Sequence, residues 1–187
     1  MKMTVLLENT ACSEALRHAH GLSLFFETAR TKLLFDAGPN LAFAANAEAL
    51  GVDLSKVDIA VLSHGHYDHG GGLRTFLERN QRAKVCVHEG AFGAYYADEP
   101  DGTRRYIGID PALREFVDRF VTTRGVTSIG DELTLFDDVS DDFGSMSASA
   151  KLTELLPDGT HRPDAFRHEQ DLLITTEGKG VLVAGCA

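Results

Sequence analysis

Val57-Asp58-Ile59-Ala60-Val61-Leu62-Ser63-His64-Gly65-His66-Tyr67-Asp68-His69-Gly70-Gly71-Gly72 decides the reading of the chain. Val57 to Leu62 is an apolar run with the composition of a buried strand. It leads into three imidazoles and a carboxylate within the six positions 64–69. Neutral imidazole and carboxylate are ligands for zinc, iron or manganese, and catalytic metal sites use such nitrogen and oxygen donors with an open position. In an extended segment, side chains two residues apart point the same way, so His64 and His66 can grip one metal. Asp68 and His69 fall beyond the bend, where they can face a second one. The glycines allow a close turn and let the next helix approach. The alternative is a His-rich surface turn, but ligand-type residues packed this densely between a strand and a Gly-rich turn point to a metal site.

Around this stretch the chain reads as one mixed α/β layered domain over residues 1–187. Thr4 to Glu8 is a short apolar run. Leu22 to Glu27 and Lys32 to Asp36 flank Thr28-Ala29-Arg30-Thr31 as a hairpin, broken by Gly38-Pro39. Ala42 to Leu50 is an Ala-rich helix with Leu41, Ala45 and Ala49 at helical spacing and Gly51 as its C-terminal stop. Leu73 to Glu78 is a helix, Lys84 to His88 a strand, Gly90 to Tyr96 a short helix, and Pro100-Asp101-Gly102 a turn. The second half reads as strands at 119–123, 132–136, 151–155, 171–176 and 181–184. Asp137 to Ser149 is acidic and Ser-rich, and its length marks it as a lid or a disordered segment.

Composition removes several classes. The 187 residues carry 18 Lys plus Arg against 28 Asp plus Glu, a net charge of −10 with no basic run, which opposes binding to nucleic acid. No apolar stretch approaches the ~18 residues of a membrane span. The opening Met1 to Glu8 is too short in apolar residues for a signal peptide. Cys12, Cys86 and Cys186 are far apart and odd in number with no CxxC pair, which argues against a disulfide framework or a Cys-based zinc site and fits a cytoplasmic location. Cys86 on its apolar strand reads as a small hydrophobe. Arg104-Arg105 offers a phosphate fork, although a solvated pair is the plainer reading.

His64, His66, Asp68 and His69 complete the His-x-His-x-Asp-His motif, and with it the chain resembles the metallo-β-lactamase superfamily. The resemblance implies an αββα sandwich in which the first two His bind one divalent metal, and Asp68 and His69 bind the other. Zinc is the expected metal, with iron or manganese as alternatives. Leu34-Phe35-Asp36-Ala37-Gly38 matches the family's buried Asp before the metal loop, which makes Asp36 a residue that orients ligands from behind. His20-Gly21-Leu22-Ser23, Asp164-x-Phe166-x-His168-Glu169-Gln170 and Gly185-Cys186-Ala187 resemble the dihydropterin ribofuranosyl-aminobenzene phosphate synthase-like branch. In that branch a metal-binding His follows Gly-Cys-Ala, so the chain reads as the N-terminal two-thirds of such a protein, lacking its C-terminal portion.

The resemblance makes Asp164, His168 and Glu169 pocket residues or supports for the ligands, against a plain strand entry. Glu8, Asn9 and His20, at the ends of the opening strands, are further pocket candidates. His88 is a ligand in some members of the superfamily and is read here as a strand-end residue. His18 and His161 are read as exposed. The implied activity is metal-assisted hydrolysis or group transfer on a small anionic molecule, phosphate- or pterin-related, by a hydroxide shared between two cations, with Asp68 orienting it. Two rivals stand beside it: a non-catalytic metal-binding remnant and an iron-dependent redox protein. The expected partner is a small-molecule substrate, with a homodimer formed through open sheet edges.

Overall fold

The fold was analysed in a computed structural model that describes residues 1–137 and 151–186. Of the stretch Asp137 to Ser149 read above as a lid or a disordered segment, all but Asp137 lies outside the described residues. A six-stranded sheet forms the centre. Three strands, β1 (Lys2–Leu7), β2 (Ser23–Glu27) and β3 (Lys32–Phe35), are antiparallel neighbours. Three more, β4 (Ile59–Val61), β5 (Lys84–His88) and β8 (Phe120–Thr123), continue the sheet in parallel from β3. Parallel neighbours need crossovers. Helix α1 (Ala42–Ala49) connects β3 to β4, and α2 (Tyr67–Gly70) with α3 (Leu73–Arg79) connects β4 to β5. A 3₁₀ segment, Pro111–Arg119, leads into β8.

The period-two alternation of strand side chains sorts this sheet onto two cores. Phe25, Leu34, Ala60, Val85 and Val87 face the helices and pack with Phe43, Ala44, Ala47, Leu73, Phe76 and Leu77. Leu24, Phe26, Leu33, Phe35, Val61 and Cys86 face the other way. There they meet Leu133, Leu135, Leu172, Ile174 and Val183 of a second sheet. That sheet has the order β14 (Lys179–Val183), β13 (Asp171–Thr176), β10 (Leu133–Phe136), β9 (Thr127–Ile129). The layers therefore run helix, sheet, sheet, as in a metallo-β-lactamase-like α/β fold; among the described residues no helix covers the outer face of the second sheet. Cys86 is buried in this second core, which pushes its thiol up to about 11, in keeping with a small hydrophobe.

Three expectations are corrected. Gly90 to Tyr96 is not a helix: residues 89–93 form turns and Ala94–Asp98 is strand β6. It pairs with β7 (Arg104–Tyr106) and β11 (Leu152–Leu155), and β11 with β12 (His161–Pro163), in a third small sheet. Gly90 and Gly93 stop a helix from starting, and Tyr95 and Tyr96 suit a pleated surface better. Helix α1 packs through Phe43, Ala44 and Ala47 rather than the Leu41–Ala45–Ala49 row, because the Phe43 ring is the largest apolar group on it. Leu41 is left exposed. His161 is half-buried, edge-on to Tyr96, rather than exposed.

Two glycines position the metal loop. A Cβ on Gly71 would stand 2.2 Å from the Pro39 carbonyl oxygen, and one on Gly72 would stand 2.2 Å from that of Ala37. Only a residue without a side chain lets α2 and α3 sit this close to the β3–α1 connection. The Gly72 N–H in turn donates to Gly38 O at 3.0 Å.

Candidate metal centre

The loop following β4 emerges at the carboxyl end of the parallel strands, where open α/β sheets bind ligands. Asp36, at the end of neighbouring β3, has φ of 58°, a left-handed conformation that Asp tolerates better than most residues. Its fully buried carboxylate accepts from Ser63 N, Ser63 Oγ and His69 Nδ1, each at 2.7 Å. The sequence-derived role for Asp36 thus has a geometric form: it ties the metal loop to the sheet and fixes the His69 ring.

Proton counting extends this to the other rings. The Ser63 hydroxyl has one proton, and it goes to Asp36, a carboxylate that only accepts. Its 2.9 Å contact with His64 Nδ1 must therefore be donated by the imidazole. His64 is then the Nδ1–H tautomer, with its lone pair on Nε2. Asp164 accepts from His66 Nε2 at 2.8 Å, which leaves the lone pair of His66 on Nδ1. His168 Nδ1 accepts from Gly65 N at 2.9 Å, so its proton sits on Nε2, 3.2 Å from Asp164 Oδ1. Each imidazole of the motif has one nitrogen claimed by a neighbour and the other left over.

The ligand-type side chains converge. Donor atoms of His64, His66 and Asp68 lie within 4.8 Å of one another. His69 Nε2 lies 3.5 Å from Asp68 Oδ2, and His20 Nε2 lies 3.4 Å from the same oxygen on the solvent side. His64 Nε2 is buried with no hydrogen-bond partner. A buried orphan nitrogen is costly unless something satisfies it, and a divalent cation does. Burial, then the neighbouring imidazoles, hold His64 well below its ordinary pKa, so it is neutral, the form that ligates. Burial pulls His69 down, but Asp36 more than offsets this, with Asp68 adding to it, and the ring reaches about 10. The same carboxylates that attract a proton to that ring attract a metal cation. Burial works to raise Asp164, and the hydrogen bonds from His168 and His66 outweigh it and hold the carboxyl below the usual range.

The sequence candidates do not all meet here. His64, His66, Asp68 and His69 form the cluster, with Asp36, Asp164 and His168 buried around it and His20 at its rim. Glu169 touches its edge, accepting from Cys186 N at 2.8 Å. Glu8 is exposed and accepts from the Thr10 hydroxyl. Asn9 Oδ1 accepts from Gly21 N, which anchors the turn before β2. His88 bonds Asp137 at 2.9 Å, away from the motif. Arg104 and Arg105 are tied to Asp98 and Glu99 across the β6–β7 hairpin. Three participants, Ser63, Gln170 and Phe166, stand within the quoted motifs without a role that the sequence assigns. Gln170 clamps the two sheets, donating to Leu62 O at 2.8 Å and accepting from Thr123 Oγ1 at 2.6 Å. Phe166, at φ of 52°, lays its ring against His66 and His64, with centroids 5.0 and 5.7 Å away.

Because Asp164 acts on His66 from behind, Asp164→Ala is expected to weaken affinity for a divalent metal roughly 10–100-fold, with Asp164→Asn recovering part of it. Competition with a chromogenic chelator measures this, and an unchanged affinity would remove Asp164 from the site.

A sequence model of the metallo-β-lactamase superfamily matches residues 18–187. The chain is 26% identical over 185 residues to the 7,8-dihydropterin-6-methyl-4-(β-D-ribofuranosyl)-aminobenzene-5'-phosphate synthase of Methanocaldococcus jannaschii, covering 90% of this chain and 61% of that protein. It is 37% identical over 114 residues to an uncharacterized protein of the same organism, covering 60% of this chain and 42% of that one. The crystal structure of a metal-dependent hydrolase of the β-lactamase superfamily matches with a TM-score of 0.76 at 26% identity, over 97% of this chain and 64% of that one. Metallo-β-lactamase MIM-1 from Novosphingobium pentaromativorans, at 18% identity and a TM-score of 0.53, shares the fold over 88% of this chain and 55% of its own. In each case the chain spans less than two thirds of the relative's length.

Proposed function

The chain belongs to the metallo-β-lactamase superfamily, and from that we propose that it is a metal-dependent hydrolase or group transferase with a two-cation centre at His64, His66, Asp68 and His69. The observation that carries this reading is the buried, unpartnered Nε2 of His64, on a ring whose tautomer Ser63 dictates. Bound cations would supply Lewis acidity, lower the pKa of water and offset negative charge on the attacked group. The chain's own part is positional. Asp36, Ser63 and Asp164 hold the three rings with their free nitrogens inward, so little reorganisation remains when a ligand arrives. Asp68 would also orient the attacking water, with exposed His20 lying 3.4 Å from its carboxylate at the solvent edge. Phe166 covers His64 and His66 and keeps bulk water from that side.

The substrate in this reading is a small anionic molecule, phosphate- or pterin-related. Support comes from the resemblance to the synthase of Methanocaldococcus jannaschii, whose name includes both a dihydropterin and a ribofuranosyl phosphate. The net charge of −10 does not oppose it, because bound cations dominate the local field. The test is elemental mass spectrometry on protein purified without an affinity tag or chelator. About two equivalents of a divalent metal per chain are expected, and a background level would sink the reading.

A further inference from the structure

Gly65 stands between two of the ligand histidines, and its place requires glycine. A Cβ there would stand 2.3 Å from the Ala91 carbonyl oxygen and 2.9 Å from the Tyr95 ring. Glycine is also the residue whose backbone turns most freely, so alone it would leave the angle between the His64 and His66 side chains loosely set. Both of its backbone groups are held instead. Its carbonyl accepts from Ile109 N at 3.1 Å, and its N–H donates to His168 Nδ1 at 2.9 Å. The second bond spans 103 residues of sequence and ends on a buried side chain.

His168 is itself tightly fixed. A backbone N–H can only donate, so Nδ1 carries the lone pair and the ring proton sits on Nε2, facing the two oxygens of Asp164 at 3.2 and 3.3 Å. Tyr95 of β6 lies against the ring with centroids 3.9 Å apart, and Phe166 lies nearly parallel to it at 5.7 Å. The Tyr95 hydroxyl donates to Gly90 O at 2.7 Å, and a Cβ on Gly90 would stand 3.0 Å from His168 Cβ. Both nitrogens of this imidazole are therefore engaged within the protein.

Resting on the metal-centre reading above, we propose that His168 is a positioning residue: it clamps the peptide between His64 and Gly65 and so sets the angle at which the His64 and His66 rings meet one cation, with Tyr95 keeping the clamp in plane. It differs from Asp164 in what it holds. Asp164 orients the ring of His66, whereas His168 fixes the backbone from which both rings project. Loss of the Nδ1 contact alone should loosen both ligands at once.

The probe is zinc, competed against a chromogenic chelator, on the full chain and on two variants that split the imidazole. His168→Asn keeps an acceptor near the Nδ1 position and gives up the reach to Asp164. His168→Gln carries its amide to the Nε2 position, where it can donate to Asp164, and leaves the Gly65 N–H without an acceptor. His168→Gln is expected to lose roughly 10–100-fold in affinity, while His168→Asn stays close to the wild type. A role in packing alone does not produce that order. Equal affinities in the two variants, or a tighter His168→Gln, overturns the clamp and leaves the His/Asp centre standing. Circular dichroism checks that both variants fold. If either does not, long-range proton–nitrogen correlation spectra of the wild type decide: a lone pair on His168 Nδ1 and a Gly65 amide protected from exchange are expected, and a proton on Nδ1 or a freely exchanging Gly65 amide overturns the clamp. A wild type that binds no zinc sinks the metal-centre reading, and the clamp falls with it.

Discussion

Asp36→Ala is expected to lower the free energy of unfolding by about 3–5 kcal/mol, the range for removing one partner of a buried charged pair. The carboxylate is 1% exposed and satisfies three donors, two from Ser63 and one from His69. Without it those donors face an apolar gap, and each buried unpaired group costs about 1–3 kcal/mol. Ala would also have to adopt φ of 58°, adding roughly 1–2 kcal/mol that Asp avoids in part by local bonding. Asp36→Asn separates these effects. It tolerates the backbone and keeps an acceptor but removes the charge, so it should fall between the two. Urea denaturation with an unchanged slope measures both. A loss below about 1 kcal/mol for the Ala variant would mean that water replaces the carboxylate and that Asp36 does not tie the loop to the sheet.

His66→Ala is expected to reduce bound metal to background, with an affinity loss beyond the roughly 10–100-fold assigned to Asp164→Ala, because it removes a donor rather than its support. His66 is 4% exposed, and its removal also strands Asp164, so the variant must be shown folded by circular dichroism before its metal content is read. His18→Ala, at an exposed position outside the cluster, serves as the control and should retain its metal. Equal metal content in the two variants would show that His66 is not a ligand.

Much of this was legible in the sequence for a physical reason. The opening hairpin, β4 and β5 are short runs rich in aliphatic and aromatic residues, and strands covered on both faces have that composition. The metal motif was legible because its donors are neighbours in the chain. What stayed hidden depends on distant pairs. The resemblance marks Asp164 as a pocket residue or support, but not its partner His66, 98 residues away, and it gives Gln170 no role because Leu62 lies 108 residues away. No local pattern encodes such a meeting. β7 and β12 were missed because Arg104-Arg105-Tyr106 and His161-Arg162-Pro163 are mostly polar and exposed three-residue strands, held by partners rather than by their own propensity. The face of α1 was misassigned because Ala carries little directional signal, so Phe43 alone sets the rotation.

The supports reaching the histidine loop from Asp164, His168 and Gln170 also set an order of events during synthesis. A ribosome finishes His64 to His69 about a hundred residues before the partners that orient them, given separations of 98, 103 and 108 residues. In that interval the central sheet can pair while its imidazoles remain free to rotate and to pick up whatever ion is abundant. Contacts this remote close late and slowly. The histidine loop therefore reaches its final arrangement only after translation has passed residue 170, when the second sheet can dock.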